Sequence, residues 1–290
     1  MLRKLTRQKL NIENLESRQM MAGDVSAYAI SKILYVNGDS LSNGIVLTSD
    51  VDGVITVAGI DQGGSATTVN GGASSTFTKI KDIVISTNKG DDAIVATNLF
   101  VNGNLYISGG KDNDAIGIGE FEDIGLIDDA VDSILGALTV KKSFIIDGGD
   151  GDDALLGRNV TVNKSLVASM GAGNDIVRFD ADGLGPGVNV LKTATISTST
   201  GDDQVALYRM TVDKSLTVTT HNDQDLVELD SITVKTLSVP LGSGDDEVTV
   251  QNSSITKRAT FNGDSGLNDY TDLGGNTFNK LIRKNFQNLV

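Results

Sequence analysis

The sequence predicts an all-β fold: a right-handed parallel β-helix of about 22-residue coils, with an N-terminal capping hairpin and one short inserted amphipathic helix. Three observations predict it: an aspartate that returns at a fixed interval, an alternation of apolar residues after each return, and a composition made for strands and turns. The chain has 290 residues, 39% of them apolar, so a large core can be buried. It carries 33 glycines and 2 prolines, 4% aromatics, and neither cysteine nor tryptophan. That mix favours many short strands joined by tight turns. Without cysteine there is no disulfide framework and no thiolate-held metal.

The interval comes first. Asp92, Asp114, Asp153, Asp175, Asp203, Asp225, Asp246 and Asp269 follow one another at 22, 39, 22, 28, 22, 21 and 23 residues, a period of 22 interrupted by two insertions. Two and four residues after each lie mostly apolar pairs such as Ile94/Ala96, Val177/Phe179, Val205/Leu207 and Val227/Leu229. This alternation marks a strand with one buried face. Eleven residues before the aspartates stand Lys81, Gly103, Lys142, Lys164, Lys192, Lys214 and Lys235, with Lys257 one residue out of step. Each is followed at two and four residues by a second apolar pair, as in Phe144/Ile146 and Leu216/Val218. Too few residues separate the strands for crossover helices, and no repeat can bury its apolar side chains alone, so the repeats must stack. At about 4.8 Å per coil, eight coils and their caps make a rod roughly 45 Å long.

The ends depart from the period. Residues 24–75 read as a cap and loop: Ile33–Val36 ends at Asn37-Gly38, Gly44–Thr48 and Gly53–Val57 pair as a hairpin, and Asp61–Ser75, poor in apolar residues, is a loop. The β-helix occupies 76–290. At its far end Phe278, Leu281, Ile282 and Phe286, among Lys280, Arg283 and Lys284, close the other mouth. Both insertions fall after the strand that follows the aspartate. In the longer, about 119–137, Phe121, Ile124, Ile127, Val131, Ile134 and Leu135 recur at helical spacing among acidic residues. The shorter, 180–187, is a turn-rich loop.

The net charge of −14 repels phosphate backbones and argues against nucleic acid. No run of 18 apolar residues spans a membrane. Residues 1–22 differ, with Arg3, Lys4, Arg7, Lys9 and Arg18 against Glu13 and Glu16. They lack the apolar stretch of a standard secretory signal, which alone points to the cytosol. Leu15-Glu16-Ser17-Arg18-Gln19-Met20-Met21-Ala22, however, resembles the Leu-Glu-Pro-Arg-x-Leu-Leu-Ala segment of exported planctomycete proteins, with Ser17 for proline and Met20-Met21 for leucines. The resemblance implies that residues 1–23 are an export segment and that the chain is extracellular or at the cell surface.

Gly148-Gly149-Asp150-Gly151-Asp152-Asp153-Ala154-Leu155 is similar to the Gly-Gly-x-Gly-x-Asp-x-Leu signature of the calcium-binding β-roll in hemolysin-type secreted proteins. Weaker copies begin at Gly109, Gly171 and Gly242. The resemblance implies Ca²⁺ at Asp92, Asp114, Asp150, Asp152, Asp153, Asp175, Asp203, Asp225 and Asp246. Here, though, the motif occurs once per 22 residues, whereas β-rolls repeat every nine. The alternative is that each aspartate accepts backbone N–H bonds in its own turn and turns its charge to solvent.

The lysines, half a coil from the aspartates, form a basic edge that suits an acidic glycan or stays solvated. Catalysis has few candidates: Arg158 and Arg178 beside the inserted corner, and His221, the sole histidine, at a turn position. The expectation is a non-catalytic surface or matrix module, structural or adhesive, meeting surface polysaccharide or other matrix proteins. A calcium-dependent binding module and a polysaccharide lyase are the alternatives.

Overall fold

The computed structural model describes residues 23–61, 66–120, 136–179 and 186–289. A typical coil runs Leu138–Val140, bends at Lys141 and Lys142, continues as Phe144–Asp150 to a glycine corner, returns as Ala154–Arg158 and turns at Asn159 into Val160–Val162 of the next coil. The first two strands of each coil join a 17-stranded sheet and the third a 12-stranded sheet. Register holds from coil to coil: Leu155, Val177, Val205, Val227 and Val248 are successive partners in one parallel ladder. Two strands at one end of the smaller sheet are antiparallel, and the ten that remain are parallel. At about 4.8 Å per step they span roughly 43 Å, which makes the parallel β-helix a rod.

The core lies between the sheets. Leu138, Val140, Phe144, Ile146 and Leu155 of one coil are each fully buried. Burying one such side chain stabilises by about 1.5–3 kcal/mol. A single coil is one layer thick, so this gain exists only where coils stack.

The basic positions do not form a corner opposite the aspartates. They mark a bend within the larger sheet, and the strands Thr211–Thr219, Thr233–Pro240 and Ser254–Asn262 pass through it unbroken, with a register shift. The second corner follows the smaller sheet, where Asn98, Asn159, Arg209, Ser231 and Asn252 take φ values of 43–56°. Both insertions leave from this corner. The expected helix falls on residues 121–135 and most of the expected loop on 180–185, outside the described residues; the described residues contain no helix.

At the N-terminus the expected hairpin forms from Gly44–Ser49 and Ile55–Gly59, its turn held by Asp50 Oδ1, which accepts the N–H groups of Asp52 and Val54 at 2.9 Å each. A second hairpin, Asp24–Ile30 with Ile33–Asn37, turns on Ser31 and Lys32 at φ 51° and 69°. Segment 61–75 is not simply a loop. Thr68–Val69 and Ser74–Phe77 are strands whose polar side chains hid them, because both lie at the edge of the cap.

One repeat position is also corrected. The partner of Asp246 is Asn268, not Asp269, which pairs with Glu247. Counted from Asn268, Lys257 falls in step, and the buried residue two further on is Tyr270. Phe278, Leu281 and Phe286 pack against the core there, and the Arg283 guanidinium sits 4.9 Å from the centre of the Tyr270 ring.

Candidate metal centre at the aspartate corner

Each corner is built by residues with positive φ. Gly149 and Gly151 lie at 126° and 142°, and a Cβ on Gly151 would stand 2.1 Å from the carbonyl oxygen of Asp112 in the preceding coil. Glycine thus lets successive corners approach to backbone contact and turns the next residues alternately out and in.

The inward residue is the repeating aspartate. Asp92, Asp114, Asp153, Asp175, Asp203, Asp225 and Asp246 are at most 3% exposed. Oδ1 of each accepts the backbone N–H of the equivalent residue one coil earlier, from Asn43 N–H on Asp92 at 2.6 Å to Asp225 N–H on Asp246 at 3.0 Å. The column ends in amides at both ends: Asn43 opens it, and Asn268 Oδ1 accepts the N–H of Asp246 at 2.9 Å. The aspartates therefore bond neither in their own turn nor outward to solvent. They staple one coil to the next from inside.

The second oxygen, Oδ2, of all seven is buried without a partner. In two coils it occupies space that glycine leaves, since a Cβ on Gly109 or Gly148 would lie 2.2 or 2.5 Å from it. Where threonine stands instead, its hydroxyl sits between two acceptors: Thr87, Thr198 and Thr220 lie close enough to Asp92, Asp203 and Asp225 to favour their charged forms, and also reach Gly109 O at 3.0 Å, Thr220 O at 3.3 Å and Leu241 O at 2.9 Å. Burial accordingly pushes the carboxyls up, against the opposing pull of the backbone N–H bonds: Asp114 to about 8, Asp153, Asp175 and Asp225 to about 7, Asp92 and Asp246 to about 6, and Asp203 in the same direction.

A second column, one residue earlier, faces solvent and runs the other way. Asp91 Oδ1 accepts the N–H of Asn113 at 3.0 Å, Asn113 Oδ1 that of Asp152 at 2.8 Å, Asp152 Oδ1 that of Asn174 at 2.7 Å, and Asn174 Oδ1 that of Asp202 at 2.9 Å. Asp202 and Asp245 continue it onto Gln224 and Leu267. Charged and neutral residues alternate strictly here, so carboxylates stand two coils apart, about 9.6 Å and near the screening length at physiological salt.

Of the nine residues expected to hold Ca²⁺, seven thus form the interior column. Asp152 belongs to the outer one, and Asp150 is an exposed neighbour of the Lys111 ammonium at 3.6 Å. Ca²⁺ takes six to eight oxygens. The interior offers one unpartnered carboxyl oxygen per coil, and among the described residues no three acidic or histidine side chains gather into a metal-holding group. The donor set does not fit a conventional calcium cage. Asn43 and Asn268 were missed because the reading followed aspartate, although Asn268 lies a full 22 residues after Asp246.

Of the residues named for catalysis, Arg158 and Arg178 lie away from this corner on the smaller sheet, whereas His221 lies in it, paired with Gly242 of the next coil. Arg158 pairs with Glu120 at 3.4 Å, Arg178 is exposed, and His221 is exposed in the short strand His221–Asn222 at φ 82°.

The sequence profile of a family described as planctomycete extracellular matches residues 6–25. The protein is extracellular or at the cell surface. The match lies at the N-terminus and leaves the β-helix unassigned. No curated protein and no solved structure matches the chain. Among the described residues no helix is long and apolar enough to cross a membrane.

Proposed function

We propose that the protein is a non-catalytic structural module of the cell surface or matrix, a spacer whose length and stiffness are its working properties. The observation that carries this reading is the interior aspartate column, which ties every coil from Asn43 to Asn268 to the next without a gap. A rod fixed at each coil resists bending and gives its two ends a set separation. The test is complementation of a gene-deletion strain, scored by surface attachment and envelope organisation. A chain with Arg158, Arg178 and His221 all changed to alanine should restore both as well as the native chain. Failure to restore them, with unsaturated sugar ends released from acidic polysaccharide by the native protein, would overturn the reading in favour of a lyase.

The second reading, a calcium-binding module, rests on the likeness of residues 148–155 to hemolysin-type repeats, with the ion held outside the interior column, whose oxygens do not make a calcium cage. Calcium bound only by the folded state would stabilise it by about 2.7 kcal/mol at a hundredfold excess over Kd. On this reading a chelator lowers the melting temperature by several degrees; an unchanged melt rejects it.

A further inference from the structure

Resting on the surface-module reading and deepening it, we propose that the bend of the larger sheet is a track for a carboxylated polysaccharide lying along the rod. Lys142, Lys164, Lys192, Lys214, Lys235 and Lys257 occupy one position on six consecutive coils. Each stands two residues before the paired core residues Phe144, Leu166, Ala194, Leu216, Leu237 and Ala259. All but the half-buried Lys142 are exposed, and none of the six makes an ion pair among the described residues.

The rest of the molecule treats like charges differently. Its solvent-facing acidic column alternates aspartate with asparagine or glutamine, and its interior column of adjacent carboxyls sits where burial favours the neutral acid. Among the described residues only the lysines put a full like charge on six consecutive coils. In a chain of net charge −14, the one flanking carboxylate in the file, Asp213, leaves this row largely uncompensated. A linear polyanion compensates it.

The geometry points to sugar acids. The lysine positions recur at the coil pitch of about 4.8 Å, close to the advance of an extended glycan by one ring, so one carboxylate per sugar can meet one lysine per coil. Hydroxyls border the file on both sides, Thr161, Thr211 and Thr233 on one and Ser165, Thr193 and Ser215 on the other, within reach of sugar hydroxyls. Because the lysines lie on a sheet and not on a sharp corner, their stems leave from a shared surface, and a polymer can contact all six together.

The experiment measures binding of polygalacturonate fragments by the native protein, with dextran as the neutral control. Changing the six lysines to glutamine should leave the melting temperature and surface delivery unaltered. If each exposed ion pair contributes roughly a factor of two, the change weakens binding about sixty-fold. Lys79 and Lys89, which lie outside the file, changed to glutamine serve as a control that keeps native affinity. Native binding should weaken as salt is raised. Equal binding of dextran, or native affinity in the six-lysine variant, overturns the track and leaves the structural reading intact. Cleavage of polygalacturonate overturns the non-catalytic reading and leaves the track standing.

Discussion

The interior aspartates take up protons where ordinary surface aspartates would have released them. Burial raises the folded pKa of all seven above the usual 3.8, to about 6 to about 8 for the six other than Asp203. Stability linked to them is therefore fully present below about pH 4 and is lost as pH rises through about 6 to 8. In metal-free buffer the melting temperature should fall between about pH 5 and about pH 8.5; a flat or rising profile would contradict the burial described. Substitution separates the two oxygens of one carboxyl. Asp153→Asn keeps an acceptor for the Asp114 N–H, as Asn268 does for Asp246. It should cost less than about 1 kcal/mol at pH 5 and stabilise at pH 8.5. Asp153→Ala strands that buried N–H and should cost about 1–3 kcal/mol at both, read by urea unfolding.

At the scale of strands and corners, the 22-residue interval and the two-residue alternation were enough to place the core. Val205, Val227 and Val248 form an inward column, while Ala206, Glu228 and Thr249 beside them are half-exposed. Val227→Asp should unfold the rod or cost several kcal/mol, and Thr249→Lys should stay within about 0.5 kcal/mol. Equal losses would mean the wrong face was assigned. The corner was less legible. In Asp91-Asp92, Asp152-Asp153, Asp202-Asp203 and Asp245-Asp246 the two residues are chemically identical, and only backbone geometry decides which enters the core. The acceptor role was readable in composition, but its donor lies one coil away, a relation that local turn chemistry does not contain. The edge strands of the cap were hidden for a different reason: Ser74–Phe77 pairs through its backbone and carries almost no apolar signal.

For the molecule as a whole, stacking makes length a variable. Removing residues 204–225 joins Asp203 to Leu226 and deletes one complete coil, so both columns close again in register. The shortened chain should stay folded, with solution scattering giving a rod about 4.8 Å shorter. Loss of cooperative unfolding would show that this coil is not an independent layer. The repeat made this legible from the sequence, whereas the closure of the ends depends on Asn43, Asn268 and Arg283, each of which occurs once in its role. The opposed sense of the two side-chain columns has a consequence of its own. Inside, N–H groups point toward the C-terminal end, and outside they point back. A helix accumulates a macrodipole because all its peptide groups align; here the added corner dipoles oppose each other coil by coil. The corner can therefore be repeated any number of times without building an axial field, and neither tip need be charged to terminate it.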